Sequence, residues 1–228
     1  MALESLFVKN RGVLVDLVDV TRKLRQLPKL ELGIPTVALV GAPNVGKSSL
    51  VQAISSGRPE VCNYPFTTRS IKMGHFYVEA RRYQVTDTPG LLNRPEDEKN
   101  ALELLTMATL RYLPTSVVFV LDATEECGTS LEDQFAIRAQ LKDMFASKQW
   151  IDVFSKADLL QEAILEAQGG ASCHENESPN DKFPNQVLAM QHLRDSVKLS
   201  TVSQEGMDLF KERLIQLITT APSTDGPF

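Results

Sequence analysis

The chain has 228 residues, 43% of them hydrophobic, with a formal net charge of -5; that supplies one sizeable core and makes one main domain the default. With a pI near 5.3, the surface as a whole is not a nucleic-acid-binding one, because phosphate contacts need clustered Lys and Arg. Cys62, Cys127 and Cys173 read as ordinary thiols, the scattered His75, His174 and His192 have no metal-ligand spacing, and no stretch is long and apolar enough to span a bilayer.

From Leu3 to Lys29, Leu6, Phe7, Val13, Leu14, Leu17, Val18, Val20 and Leu24 recur at three- and four-residue steps, which predicts an amphipathic helix ending before Pro28. Gly12 works against it. Residues 1–32 form this helical segment, and its apolar stripe needs a partner.

An apolar strand, Thr36 to Val40, then runs into Gly41-Ala42-Pro43-Asn44-Val45-Gly46-Lys47-Ser48, a GxxxxGK(S/T) loop, and a helix follows to about Ser55. Backbone N–H groups of such a loop cradle phosphates, Lys47 neutralises the outer ones and the Ser48 hydroxyl can hold Mg²⁺. A plain glycine-rich turn would not need strand, loop and helix in that order, so the chain is expected to bind a nucleoside triphosphate.

The polar segment Asn63-Tyr64-Pro65-Phe66-Thr67-Thr68 comes next and can supply a second Mg²⁺-binding hydroxyl. Paired strands at Ile71–Val78 and Arg82–Thr86 lead to Asp87-Thr88-Pro89-Gly90, where a carboxylate could hold Mg²⁺ through water and a glycine N–H could meet a terminal phosphate. Alone, these four residues would also make an ordinary turn.

A helix at Lys99–Tyr112, a strand at Ser116–Leu121, a helix at Leu131–Ala146 and a strand at Trp150–Phe154 follow. Ser155-Lys156-Ala157-Asp158 leaves that last strand, and the Asp158 carboxylate suits the N1–H and N2–H₂ donors of guanine, a pair that adenine lacks. Beyond a short helix at Leu159–Glu166, residues 169–184 read as a flexible insertion. A helix at Asn185–Leu193 and a strand at Ser196–Leu199 lead to Ser200 and Thr201, whose N–H groups could meet guanine O6. In the last helix Met207, Phe210, Leu214 and Leu217 form a core stripe, and 222–228 is expected to be a disordered tail. The alternation predicts an α/β fold for residues 33–221, a mainly parallel six-stranded sheet with helices on both faces and ligands at the carboxyl ends of its strands.

The ordered set GAPNVGKS, TT, DTPG, SKAD and ST resembles the five G-motifs of the Ras-like P-loop GTPases. Tyr64 to Thr68 resembles the Obg-related branch in particular. Leu121 to Gly128 (LDATEECG), and Leu199 to Thr201 followed by Glu205-Gly206, are similar to the nucleolar GTP-binding, or Nog-type, members. The resemblance runs from about Leu6 to about Thr220.

It implies GTP and GDP binding with Mg²⁺, and slow GTP hydrolysis coupled to assembly of the large ribosomal subunit, with a pre-ribosomal particle as partner. It also implies a nucleolar or nuclear setting, an organelle or the cytoplasm being the alternatives. By the same resemblance Gly41, Asn44, Val45, Gly46, Lys47, Ser48 and Ser49 bind phosphate and Mg²⁺, Thr68 (or Thr67) senses the γ-phosphate and contributes to the metal site, and Asp87 and Gly90 form the second switch. Ser155, Lys156 and Asp158 read guanine, with Ser200 and Thr201 beside them. Longer members carry a helical domain before this region and a basic extension after it. Arg22-Lys23-Leu24-Arg25 could touch RNA phosphate, a solvated helix end being the plainer role.

Two departures carry weight. Ser155 stands where the family pattern has asparagine, so a tie between base loop and phosphate loop is expected to weaken. Leu91 has no polar group with which to orient an attacking water. Asn44 lies where some related GTPases coordinate K⁺, which would stabilise developing phosphate charge, so K⁺-stimulated hydrolysis is expected; Arg69 is a second candidate for that charge. Two competing functions stay open: a GTP-gated protein-binding module with negligible turnover, and an ATP-dependent phosphotransferase, which Asp158 disfavours.

Overall fold

Two runs of the sequence, TVALV and TSVVFVLD, are buried at every residue. Strands covered on both faces need apolar side chains on both, so they read as continuous rather than alternating runs. The computed structural model describes residues 11–25, 34–63, 70–159 and 195–220. In chain order these are α1 (Arg11–Arg25), β1 (Thr36–Val40), α2 (Lys47–Ile54), β2 (Glu60–Asn63), β3 (Ser70–Val78), β4 (Arg81–Asp87) and a 3₁₀ turn at Glu96–Glu98. They continue with α3 (Ala101–Tyr112), β5 (Thr115–Asp122), α4 (Leu131–Met144), β6 (Trp150–Ser155), β7 (Val197–Lys198) and α5 (Met207–Thr220).

The strands form one sheet in the order β2-β3-β4-β1-β5-β6-β7. β1 pairs in parallel with β4 and β5, and the parallel run continues through β6 to β7, while β3 is antiparallel to both its neighbours. The sheet thus has seven strands where six were expected. The extra one, β2, spans four residues at the sheet edge with Val61 exposed, so neither length nor burial marks it in the sequence.

On one face α2 and α5 set Leu50, Val51, Phe210 and Leu214 against Val37, Leu39, Val85 and Val118, and the predicted stripe Met207, Phe210, Leu214 and Leu217 is wholly buried there. On the other, α3 and α4 set Leu110, Ile137 and Leu141 against Ala38, Val40, Phe119 and Leu121. The carboxyl ends of β1, β4, β5 and β6 therefore open side by side, at Gly41, Thr88, Ala123 and Lys156.

The predicted first helix is described over Arg11–Arg25, and Val13, Leu14, Val15, Leu17 and Val18 are exposed on it. The expected helices at 159–166 and 185–193, the insertion at 169–184 and the tail at 222–228 lie outside the described residues, apart from a helical start at 157–159. So do Thr67, Thr68 and Arg69.

The β3–β4 hairpin turns through Glu79 and Ala80, at φ 48° and 63°. Two-residue turns of this hand match the twist of the strands but favour Asn-Gly, because an L side chain in the left-handed region costs roughly 1 kcal/mol. Replacing the pair (Glu79→Asn with Ala80→Gly) is expected to stabilise the fold by about 1 kcal/mol and to raise the thermal unfolding midpoint by about 2–4 °C, as read by circular dichroism.

Candidate nucleotide-binding site

The phosphate loop is shaped by contact with the core beneath it. A Cβ at Gly41 would overlap the carbonyl of Val120 in β5, so only glycine lets β1 end this close to its neighbour. Asn44 sits at φ 61°, a conformation Asn tolerates better than most residues, and is exposed. Gly46, at φ 95°, is the N-cap of α2. Lys47 is buried, its Nζ donating to the carbonyls of Ala42 at 2.6 Å and Gly41 at 3.2 Å.

The second loop closes on the first. Leu91 N–H donates to the Gly41 carbonyl at 3.1 Å, and a Cβ on Gly90 would lie 2.6 Å from Pro43 N. Thr88 Oγ1 donates to the Leu39 carbonyl at 2.7 Å, pinning the start of the loop to β1. The Leu91 side chain turns into the core with Val40 and Phe119, 2% exposed.

Ser48 Oγ donates to Asp87 Oδ2. The other oxygen, Oδ1, is buried without a hydrogen-bond partner among the described residues. Burial pushes the Asp87 carboxyl above its ordinary value, against the lowering effects of the Ser48 hydroxyl, the Lys47 charge and the Thr88 N–H. An anionic oxygen left unpaired in a buried site calls for a cation, and the set of hydroxyl and carboxylate oxygens is the kind that Mg²⁺ takes.

The base-side loops are built around Asp122, the last residue of β5, which is fully buried. Its Oδ1 accepts from Thr124 N at 3.0 Å and Thr124 Oγ1 at 2.6 Å. Its Oδ2 accepts from Cys127 N at 3.0 Å and Lys156 Nζ at 2.7 Å. Lys156, at φ 54°, also has Glu126 at 3.7 Å; burial, the largest single effect, would lower its amine, and the Asp122 hydrogen bond and charge together with Glu126 outweigh it and raise the amine.

Sequence reasoning weakened the tie between base loop and phosphate loop at Ser155, and the structure corrects that. Ser155 Oγ lies 2.6 Å from the Val45 carbonyl and 3.0 Å from that of Leu121; the packing of β6 against the loop brings the shorter side chain within reach. Ala157 N–H donates to the Leu199 carbonyl at 3.1 Å, joining the SKAD loop to the ST loop. Ser200 is buried, and its Oγ accepts from Val202 N and Ser203 N, both at 3.1 Å, so the side chain shapes its own turn. Asp158 is half-buried.

A cavity of about 540 Å³ gathers Asn44, Gly46, Lys47, Ser48, Ser49, Asp87 and Gly90, together with Leu92, Arg94 and Asn100. Gly41 and Val45 lie buried beneath it, and Lys156, Asp158, Ser200 and Thr201 lie outside its lining. Asp122, Gln134, Arg94 and Glu103 were not singled out from the sequence. The one signal for the last is Asn100 three residues before Glu103, a capping-box spacing, and the structure shows that box closed.

Residues 36–156, just over half of the chain, match the family of 50S ribosome-binding GTPases, and the chain belongs to that family. It is 32% identical over 191 residues to nucleolar GTP-binding protein 1 of Arabidopsis thaliana, covering 84% of this chain and 28% of that one. It is 32% identical over 166 residues to its namesake in Saccharomyces cerevisiae, covering 73% and 26%. The chain thus spans less than a third of the length of these curated relatives. Among solved structures, a nucleolar GTP-binding protein 1 from Plasmodium falciparum superposes with a TM-score of 0.58 at 27% identity, over 85% of this chain and 90% of that one. The G domain of the Thermotoga maritima FeoB iron transporter gives 0.57 at 21% identity, over 81% and 98%, which is a likeness of fold.

Ser155→Ala removes the donor to the phosphate loop and is expected to cost about 1–2 kcal/mol in chemical denaturation. Nucleotide affinity should fall with it, and Ser155→Asn should recover most of both. Wild-type stability in Ser155→Ala would show that the contact contributes nothing.

Proposed function

We propose that this GTPase family member binds GTP and GDP and hydrolyses GTP slowly, as a switch in assembly of the large ribosomal subunit. The observation that carries the reading is the placement of Lys47, Ser48, Asp87 and Gly90 around one cavity, in a chain whose relatives are named nucleolar GTP-binding proteins. Those names, and the family's description as 50S ribosome-binding, support the ribosomal partner and a nucleolar setting. Residues 33–221 form the GTPase domain and 1–32 a separate helical segment.

In this reading the loop N–H groups from Asn44 to Ser49 face the phosphates, Lys47 exchanges its two carbonyl partners for phosphate oxygens, and the Gly90 N–H meets the γ-phosphate. Ser48 would hold Mg²⁺, with Asp87 and Thr68 as the further oxygen donors. Mg²⁺, when bound, neutralises charge on the β- and γ-phosphates. Asp158 accepts from the guanine donors, Lys156 and Ser155 hold the base loop, and Ser200 and Thr201 line its far side.

The residue after Gly90 does not orient water as a glutamine would, since Leu91 is apolar and in the core. Asn44, exposed at the cavity wall, would offer its amide oxygen to K⁺. Single-turnover hydrolysis is expected to run several-fold faster in KCl than in NaCl at matched ionic strength, and equal rates would remove K⁺ from the mechanism.

The ribosomal reading is tested by co-sedimentation with large-subunit precursors. Enrichment is expected with a non-hydrolysable GTP analogue and loss of it with GDP. Absence from the particles in both states would remove the ribosome. Nucleotide-gated binding without measurable turnover would instead favour a GTP-gated binding module.

A further inference from the structure

Beyond Gly90 the chain is organised by a buried carboxylate with no part in the phosphate loop. Glu103 is 1% exposed. Its Oε1 accepts from Leu92 N at 3.0 Å and Arg94 Nε at 3.2 Å, and its Oε2 accepts from Asn100 N at 2.9 Å. Asn100 Oδ1 in turn accepts from Leu102 N and Glu103 N, both at 3.0 Å, closing the cap of α3. Glu103 cannot leave this position without orphaning two backbone N–H groups.

Arg94 is therefore gripped at its Nε edge by a fixed group, with 28% of its side chain exposed, and it lines the same cavity as Lys47, Ser48 and Gly90. Among the fourteen lining residues Lys47 and Arg94 are the cations and Asp87 the carboxylate. From its other end the guanidinium reaches the Glu98 carbonyl only at 3.5 Å, through Nη1. Because the backbone N–H groups of Leu92 and Asn100 stand on different oxygens, a carboxylate meets both, and its Oε1 takes the Arg94 Nε as well. A guanidinium gripped by a buried carboxyl group at a cavity edge is a donor oriented in advance, which is the arrangement that favours a transition state.

We infer that Arg94 is a cis-acting arginine for the outer phosphates of bound GTP, with Glu103 as its positioning residue. The inference rests on the reading that this cavity takes GTP. In hydrolysis a water oxygen bonds to the γ-phosphorus, and the bond from that phosphorus to the β–γ bridging oxygen breaks. The electron pair goes to the bridging oxygen and the water proton to the released phosphate. Charge gathers on the β-phosphate and the bridge, and the Arg94 guanidinium, on the lining of the same cavity as Lys47, would offset it.

The test is single-turnover hydrolysis of pre-bound GTP by the full 228-residue chain, alongside affinities for GDP and a non-hydrolysable GTP analogue and thermal unfolding. Arg94→Ala is expected to slow hydrolysis about 10-fold or more while GDP affinity stays within about twofold, and Arg94→Lys to keep part of the rate. Glu103→Gln keeps one acceptor oxygen and sets an amide N–H against one backbone N–H group; at a temperature where thermal unfolding shows it folded, it should lower the rate with GDP affinity held. Wild-type turnover in Arg94→Ala, or equal loss of GDP and GTP-analogue affinity, would overturn the inference while leaving the GTPase reading intact. A wild-type chain that binds GTP and never hydrolyses it would overturn both.

Discussion

The loops of this site depend on the pairing of one buried charge, the carboxylate of Asp122. It lies at the end of the fully buried β5, between the strand that feeds the phosphate loop and the strand that feeds the base loop. An ionised carboxylate in that position is tolerable only because four donors meet it. Removing one partner of such a pair typically costs about 3–5 kcal/mol, since the other charge is left buried. The dependence runs both ways, because the Lys156 amine takes its closest ion pair from Asp122, at 2.7 Å. Gln134 of α4 fixes the same strand end, accepting from Asp122 N at 2.8 Å and donating to Asp122 O at 3.0 Å. The helix layer thereby fixes where the base loop begins.

Asp87, at the end of β4, is the contrasting case. Both carboxylates terminate buried strands, yet the chain satisfies Asp122 completely and leaves Asp87 with an unpartnered oxygen. Burial raises the Asp87 carboxyl, so its protonated form favours the fold. That contribution is full below the ordinary value and is lost as pH rises through the raised one. A cation bound at that oxygen would offset the burial that raises the group. One strand end is finished by the protein; the other is left for a ligand.

The sheet, most helix boundaries and the phosphate loop were legible because each is written in local pattern: apolar runs, caps, and glycines next to a lysine. The cross-links of the site were not, because they join residues far apart in the chain. Ser155 and Val45 are 110 residues apart, and Lys156 and Asp122 are 34 apart. Reading Ser155 by side-chain length alone predicted a weaker tie, whereas backbone approach set the distance. Asn100 and Glu103 could be read as a cap from spacing, but the reach of Glu103 back to Leu92 and Arg94 depends on how the second loop folds over α3. β2 was invisible because a four-residue edge strand carries neither periodicity nor a buried run.

The position after Gly90 shows how a catalytic gap becomes fixed in a fold. Leu91 packs among Val40, Leu110 and Phe119, and its N–H is committed to the Gly41 carbonyl. A glutamine side chain in that place would enter the core with an amide lacking partners, at a cost of about 1–3 kcal/mol. Restoring a water-orienting group there would also require turning the side chain out past the contact of Gly90 with Pro43. The absence of that group is thus tied to the packing of the second loop against the first, and it cannot be reversed by one substitution. In the GTPase reading proposed above, charge compensation would come from the cavity walls, where Lys47 and Arg94 stand together with the exposed Asn44.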